Sequence, residues 1–179
     1  MNIMRFSRPA IIPEPVSLTE KQGAYNLNEN SVLYAASGNS DVSRVADYLQ
    51  KTINTSTGFN IKSSSEANTN GIILALNSTT DSELGNEGYL LKVDTDKISI
   101  NANAPAGLFY GVQTLLQLLP KEIERKTAVK NISWTIPAVE IKDYPRFGWR
   151  GLMFDVSRHF FTKAEVKQFI DDMAKYKFN

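Results

Sequence analysis

The residues with the most chemical potential crowd into one stretch, Asp143-Tyr144-Pro145-Arg146-Phe147-Gly148-Trp149-Arg150-Gly151-Leu152-Met153-Phe154-Asp155-Val156-Ser157-Arg158-His159-Phe160-Phe161. It sets guanidinium, carboxylate, imidazole and aromatic groups beside an apolar run, the mixture expected where a strand opens onto a pocket. Arg150, between Trp149 and Gly151 at the start of that run, must be buried or lie at a pocket floor. A buried guanidinium needs acceptors. A carboxylate such as Asp155 or the vicinal hydroxyls of a sugar would supply them, because the planar fork suits bidentate contact. On chemistry alone, a structural ion pair and a ligand contact serve equally well.

His159 is the chain's only histidine, which excludes a histidine-cluster metal site. Its sharp reading is a general base. The plainer reading, an oriented structural histidine in a strand-to-helix loop, is favoured because no partner nucleophile lies nearby. Asp171 and Asp172 are neighbours on a helical pattern and point about 100° apart, so they read as a solvated face and not as a carboxylate pair. Gly107-Leu108-Phe109-Tyr110-Gly111 matches neither the dinucleotide nor the P-loop spacing. It falls inside a helix, where its glycines would permit close packing.

Residues 9–19, with three prolines, read as an extended lead-in. Residues 31–36 form a candidate strand. A helix over 41–55 places Val42, Val45, Ala46, Leu49 and Ile53 on one face, with Ser40 as N-cap and Gly58 as terminator. Short strands are expected at 59–62, 71–76 and 87–93, with a solvated loop over 63–70. Asp94-Thr95-Asp96 turns the last strand into another at 97–101 as a hairpin. Residues 104–120 make a second helix, started by Pro105 and closed by Pro120. It is apolar around most of its circumference and so needs a layer beyond its own sheet. Two strands, 132–136 and 139–142, flank Pro137, and Asp143-Tyr144-Pro145 marks a domain boundary. Beyond it come an apolar strand at 151–156 and a helix opened by a capping box, Thr162 with Glu165. Val166, Phe169, Ile170, Met173 and Tyr176 form one stripe of that helix, and such a βα unit cannot bury its apolar surface by itself.

Composition narrows the functional classes. Hydrophobic residues make up 42% of the chain and charged residues 22%, which is globular and not disordered. A net charge of +1 without Lys/Arg runs gives no footing for nucleic acid or an anionic membrane. No apolar run is long enough for a membrane span. The absence of cysteine removes disulfides, thiolate metal sites and a cysteine nucleophile. Asn54-Thr55-Ser56, Asn77-Ser78-Thr79 and Asn131-Ile132-Ser133 fit the glycosylation triplet. In so Asn/Ser/Thr-rich a chain they read as coincidental.

Two segments carry a family resemblance. The block from Pro145 to Phe161 resembles the start of the catalytic barrel in β-N-acetylhexosaminidases of glycoside hydrolase family 20. Residues 106–118, Ala-Gly-Leu-Phe-Tyr-Gly-Val-Gln-Thr-Leu-Leu-Gln-Leu, resemble the signature helix of the accessory α/β domain that precedes it. The Pro-rich entry Ile12-Pro13-Glu14-Pro15 is similar to the family's as well. The resemblance implies a mixed β-sheet with two helices on one face (residues 1–143), then a truncated first βα unit of a TIM barrel (144–179). It also implies that those helices pack against the barrel. Arg150 matches the arginine that holds the 3- and 4-hydroxyls of a terminal aminosugar. Asp155, Ser157, Arg158 and His159 match positions that support the barrel top.

The activity implied is retaining, substrate-assisted hydrolysis of terminal N-acetylglucosamine or N-acetylgalactosamine. In it the 2-acetamido oxygen attacks the anomeric carbon, a Glu is acid and then base, and an Asp orients the acetamido group. That Asp-Glu pair is expected beyond Asn179, since a barrel needs roughly 250 residues. The chain alone is therefore expected to be inactive, to need no cofactor or metal, and to act as a barrel-stabilising domain. The alternative is a non-catalytic module binding carbohydrate or protein. Export is expected, with a signal peptide removed. Exposed apolar faces at 106–119 and 166–176 should drive self-association, unless the βα unit folds back over the second helix.

Overall fold

Alternation of apolar and polar residues organises the first of the two units into which the chain divides, 1–144 and 145–179. The computed structural model describes residues 9–35, 38–64 and 71–179. The first unit contains β1 (Ser17–Asn26), β2 (Val32–Ala35), α1 (Ser40–Thr57), β3 (Lys62–Ser64), β4 (Gly71–Leu76), β5 (Tyr89–Val93), β6 (Ile98–Ala102), α2 (Pro105–Leu118) and β7 (Thr135–Asp143). Among the described residues the seven strands form one sheet in the order β1-β7-β5-β6-β4-β2-β3. Pairings among β2, β3, β4 and β6 are parallel, and those linking β6 to β5, β5 to β7 and β7 to β1 are antiparallel. The sheet is thus mixed, as expected.

Register aligns Leu33, Ile72, Ile98, Val93 and Val139 in one buried row across the strands. α1 and α2 pack against each other and against this face. Val42, Leu49 and Ile53 come from α1, and Leu108, Val112 and Leu115 from α2, all nearly or wholly buried. Pro105 opens α2 within its first turn, and the helix ends just before Pro120. α2 is sunk deeper than an exposed apolar helix would be. Among its residues Ala106 alone is exposed, while Phe109, Leu116 and Gln117 are half-buried. Part of its second layer is α1. Another part is the lead-in, where the Gln117 amide accepts from the Ile12 N–H and donates to the Ile12 carbonyl, each at 2.8 Å.

α2 lies close to the sheet because two residues lack side chains. A Cβ on Gly107 would stand 2.2 Å from the Gly88 carbonyl oxygen and 2.9 Å from Ala102 Cβ. A Cβ on Gly111 would stand 2.5 Å from Ile100 Cγ2 and 3.2 Å from the Tyr89 ring. These glycines do permit close packing, and the partner is the sheet.

Several local expectations shift. The N-cap of α1 is Asn39 and not Ser40, since its Oδ1 accepts from Asp41 N at 2.9 Å and Val42 N at 3.3 Å. Gly58 ends the helix in the left-handed region (φ 76°) that glycine enters without strain. β3 begins at Lys62, because α1 takes the Ile61 backbone first. Asn54 Oδ1 accepts its N–H at 3.0 Å and Gln50 Nε2 donates to its carbonyl at 2.8 Å. Ser63 and Ser64 are thus strand and not loop, and 65–70 lie outside the described residues. β1 runs on to Asn26 past the expected lead-in, as an edge strand whose exposed Glu20, Lys21 and Gln22 gave no alternation. β7 is one strand through Pro137. Its pairing with β5 covers 139–143, and β1 bulges between Glu20 and Ala24 opposite this point, so the missing N–H costs no ladder bond on the β5 side. The hairpin forms as expected, with Asp94 N–H bonded to the Lys97 carbonyl at 2.9 Å.

The opposite face of β2, β4, β5 and β6 carries Tyr34, Ile73, Ser99 and Lys92 in register, with Tyr34 its one aromatic. Lys21 and Lys92 flank Glu140 there at 3.0 and 3.3 Å.

Gly107→Ala should lose about 1–3 kcal/mol of unfolding free energy, since backbone stands in the way and cannot yield cheaply. The exposed control Ala106→Ser should stay within about 0.5 kcal/mol. Equal denaturant midpoints for both would show that α2 does not depend on this approach.

Candidate functional site

The Arg/Asp/His block lies in the second unit, which is built around α3 (Lys163–Lys175). Thr162 and Glu165 form the expected capping box. Thr162 Oγ1 accepts from Glu165 N at 3.3 Å, and the Glu165 carboxylate accepts from Thr162 N at 2.7 Å. Phe154 stacks on Phe169 with ring centres 4.4 Å apart and tilts against Phe161 at 4.5 Å. No residue of α3 is buried. Residues 151–156 do not form the expected strand. A barrel strand is held by parallel neighbours on both edges, and this unit contains none to satisfy its backbone groups.

Arg150 is half-buried, and two of its side-chain hydrogen bonds go to main chain. Nε donates to the Lys177 carbonyl at 2.8 Å and Nη1 to the Phe147 carbonyl at 2.9 Å. Its backbone exchanges bonds with Asn179, accepting from Asn179 N at 3.1 Å and donating to Asn179 Oδ1 at 2.9 Å. Asn179 Nδ2 adds a bond to the Gly148 carbonyl at 2.8 Å. Here Arg150 ties the segment before the motif to the residues after α3.

Asp155 does not pair with Arg150. Its Oδ1 accepts from Ser157 N at 2.9 Å and Arg158 N at 3.2 Å, and Oδ2 meets Arg158 Nε at 3.2 Å. The carboxylate thereby closes a turn. His159 follows on that turn, exposed and without a hydrogen-bond partner among the described residues, which gives no support to a general base. Asp172 pairs with Lys175 at 3.4 Å and accepts from Gln168, as a solvated helix face does.

Around the motif Phe147, Trp149, Met153 and Phe160 are 74%, 81%, 89% and 90% exposed. Exposed large apolar side chains are therefore concentrated here, at Ile170 of α3 and at Tyr176 just after it. The expectation that α2 contributes to them is corrected by that helix's burial. No helix among the described residues is long and apolar enough to cross a membrane, and no cluster of three or more His, Asp or Glu could hold a metal.

Sequence reasoning missed one buried polar group in the first unit. Tyr89 Oη is 2.5 Å from Thr114 Oγ1 and donates to Asp143 Oδ2 at 2.9 Å, while Asp143 Oδ1 accepts from Val16 N at 3.3 Å. Burial, and next the Asp143 charge, push the Tyr89 phenol well above its ordinary value of 10.0, so it stays a donor. These residues are far apart in the chain and share no motif. Only the pairing of β5 with β7 could have revealed them.

The profile of glycosyl hydrolase family 20, domain 2, matches residues 8–144, and that of the family's catalytic domain matches residues 147–179. The chain therefore belongs to glycosyl hydrolase family 20. It is 36% identical over 169 residues to a β-hexosaminidase of Porphyromonas gingivalis, covering 94% of this chain and 21% of that protein. The structure of a GH20 β-N-acetylhexosaminidase from Streptomyces coelicolor superposes with a TM-score of 0.86 at 37% identity, over 94% of this chain and 33% of that one. The Streptomyces plicatus N-acetyl-β-hexosaminidase bound to Thio-NAglucal gives 0.86 at 35% identity, over 99% of this chain and 35% of that one. The chain spans from about a fifth to about a third of these relatives.

Hydrogen bonds from Thr162, its backbone N–H first, hold the Glu165 carboxyl below its ordinary value of 4.5. A depressed folded value contributes stability above the ordinary value, and that contribution disappears as pH falls through the folded one. Acidification below 4.5 should therefore weaken the N-terminal cap of α3. In Thr162→Ala the helix should be weaker at neutral pH and its acid response flatter by circular dichroism. An acid profile indifferent to Thr162→Ala would contradict this.

Proposed function

We propose that this chain is the N-terminal part of an exported β-N-acetylhexosaminidase that removes terminal N-acetylglucosamine or N-acetylgalactosamine from glycans by retaining, substrate-assisted hydrolysis. The observation that carries this reading is the succession of both family profiles along one chain, in order and nearly without a gap. Within it, residues 1–143 serve as the accessory domain that stabilises the barrel, and 144–179 open the barrel. The expected inactivity of this chain is supported by Asp155, Glu165 and Asp172, which are engaged in a turn, a cap and a helix face. The binding-module alternative gains little from a sheet face whose central strands offer Tyr34 as their one aromatic. The exposed Phe147, Trp149, Met153 and Phe160 give the chain by itself a surface through which it self-associates. The purified chain should show no turnover of an aryl N-acetyl-β-glucosaminide and should sediment above monomer mass. Measurable hydrolysis would refute the first point, and a monomer at all concentrations the second.

The arginine that holds the sugar hydroxyls is assigned by resemblance to Arg150. A second reading is favoured by the bonds themselves. Arg150 directs two donors at main-chain carbonyls, whereas the Arg158 side chain is 90% exposed and, among the described residues, pairs with Asp155. In the longer enzyme, losing the contact arginine should lower kcat/KM about 10–100-fold, the equivalent of about 1.5–3 kcal/mol of charge-assisted hydrogen bonding. If Arg150 is that contact, Arg150→Ala takes the kinetic loss. If it is a clamp, Arg150→Ala lowers the melting temperature and Arg158→Ala takes the kinetic loss.

A further inference from the structure

We propose that Asn131 is an acceptor for an N-linked oligosaccharide. An Asn-X-Ser/Thr triplet is usable in a folded protein where the amide and the hydroxyl residue two positions on both reach solvent in a loop. Two of the three triplets fail this condition. Asn54 lies within α1 with its Oδ1 on Ile61 N, and the hydroxyl residue of its triplet, Ser56, is buried with Oγ at 2.7 Å from the Ile123 carbonyl and 2.6 Å from that of Arg125. Asn77 is half-buried, and its Nδ2 donates to Asn103 Oδ1 at 2.8 Å. Asn103 in turn holds Asp81 N and the carbonyls of Asp81 and Gly85, so a sugar on Asn77 would force apart the bonds that order the loop after β4.

Asn131-Ile132-Ser133 meets the condition. It lies in the irregular segment just before β7, with Asn131 and Ser133 exposed. Asn131 takes the left-handed backbone (φ 62°), a conformation that asparagine tolerates well, and no described residue bonds its amide. Among the described residues, Ser133 Oγ hydrogen-bonds only with the hydroxyl of half-buried Thr135, at 2.8 Å. The chemistry is a group transfer. Asn131 Nδ2 loses a proton and bonds to C1 of the reducing-end sugar of a lipid-linked oligosaccharide pyrophosphate. The bond from C1 to the pyrophosphate oxygen breaks, and the lipid pyrophosphate leaves with the electron pair.

The inference rests on the export reading only because the donor is met on the way out of the cell. The test supplies that route by placing a secretion signal before the 179-residue chain in a eukaryotic host that N-glycosylates. Glycopeptide mapping of the secreted chain should find one glycan, at Asn131, removable by peptide N-glycosidase. Asn131→Gln and Ser133→Ala should both abolish it, and Ser133→Thr, which keeps the triplet, should retain it. A secreted chain lacking sugar at Asn131, or carrying it equally at Asn54 or Asn77, overturns the inference. Because the signal is added, a negative result concerns the acceptor. Export is judged separately, by fractionating the natural host.

Discussion

The gap between α2 and the sheet is set by two absent side chains, and much of the first unit follows from it. Gly107 and Gly111 bring the helix backbone onto the Gly88 carbonyl and the Ile100 side chain. At that distance the next turn of α2 puts Thr114 against the Tyr89 hydroxyl, and Tyr89 reaches on to Asp143. One short helix-to-sheet distance is thereby linked to the last residue of β7 and, through Val16 N, to the end of the lead-in. A bulkier residue at either glycine would do more than crowd a core. It would move the hydroxyl that satisfies a buried carboxylate, and an unsatisfied buried acceptor is costly.

The second unit depends on main-chain hydrogen bonds and on side chains close in sequence. A capping box, an aspartate-closed turn, three phenylalanines and an arginine clamp hold it together, without a buried helix face. Its apolar strand sequence has no sheet to join. Large aromatics of this unit, Phe147, Trp149 and Phe160 among them, stand in solvent, and among the described residues it carries most of the exposed large apolar side chains.

What the sequence revealed follows the range of the forces involved. The apolar face of α1, the hairpin at Asp94, the stop at Gly58 and the Thr162–Glu165 box are set by residues within one or two turns, and all were legible. The strand through Pro137 was not, because its continuity depends on a bulge in β1 more than a hundred positions earlier. β3 started late for the same kind of reason, two amides of α1 having claimed the Ile61 backbone. The chemistry of the motif was legible as composition and not as geometry. Guanidinium, carboxylate and imidazole could be listed, but Arg150 donates to carbonyls at Phe147 and Lys177, which no residue type announces. Family membership was readable in two separated motifs because both are long and ordered. The buried Tyr89–Asp143 contact carries no such signature.

The bulge in β1 has a consequence for solution behaviour. An outermost strand is a row of unused donors and acceptors that another chain can zip onto. β1 is long, yet its pairing register breaks between Glu20 and Ala24, and Lys21 is drawn to Glu140 and Asp94. A broken, charged border makes a poor template for ribbon-like growth from molecule to molecule. The sheet is blunted on this side, so copies that meet there find no continuous edge to extend.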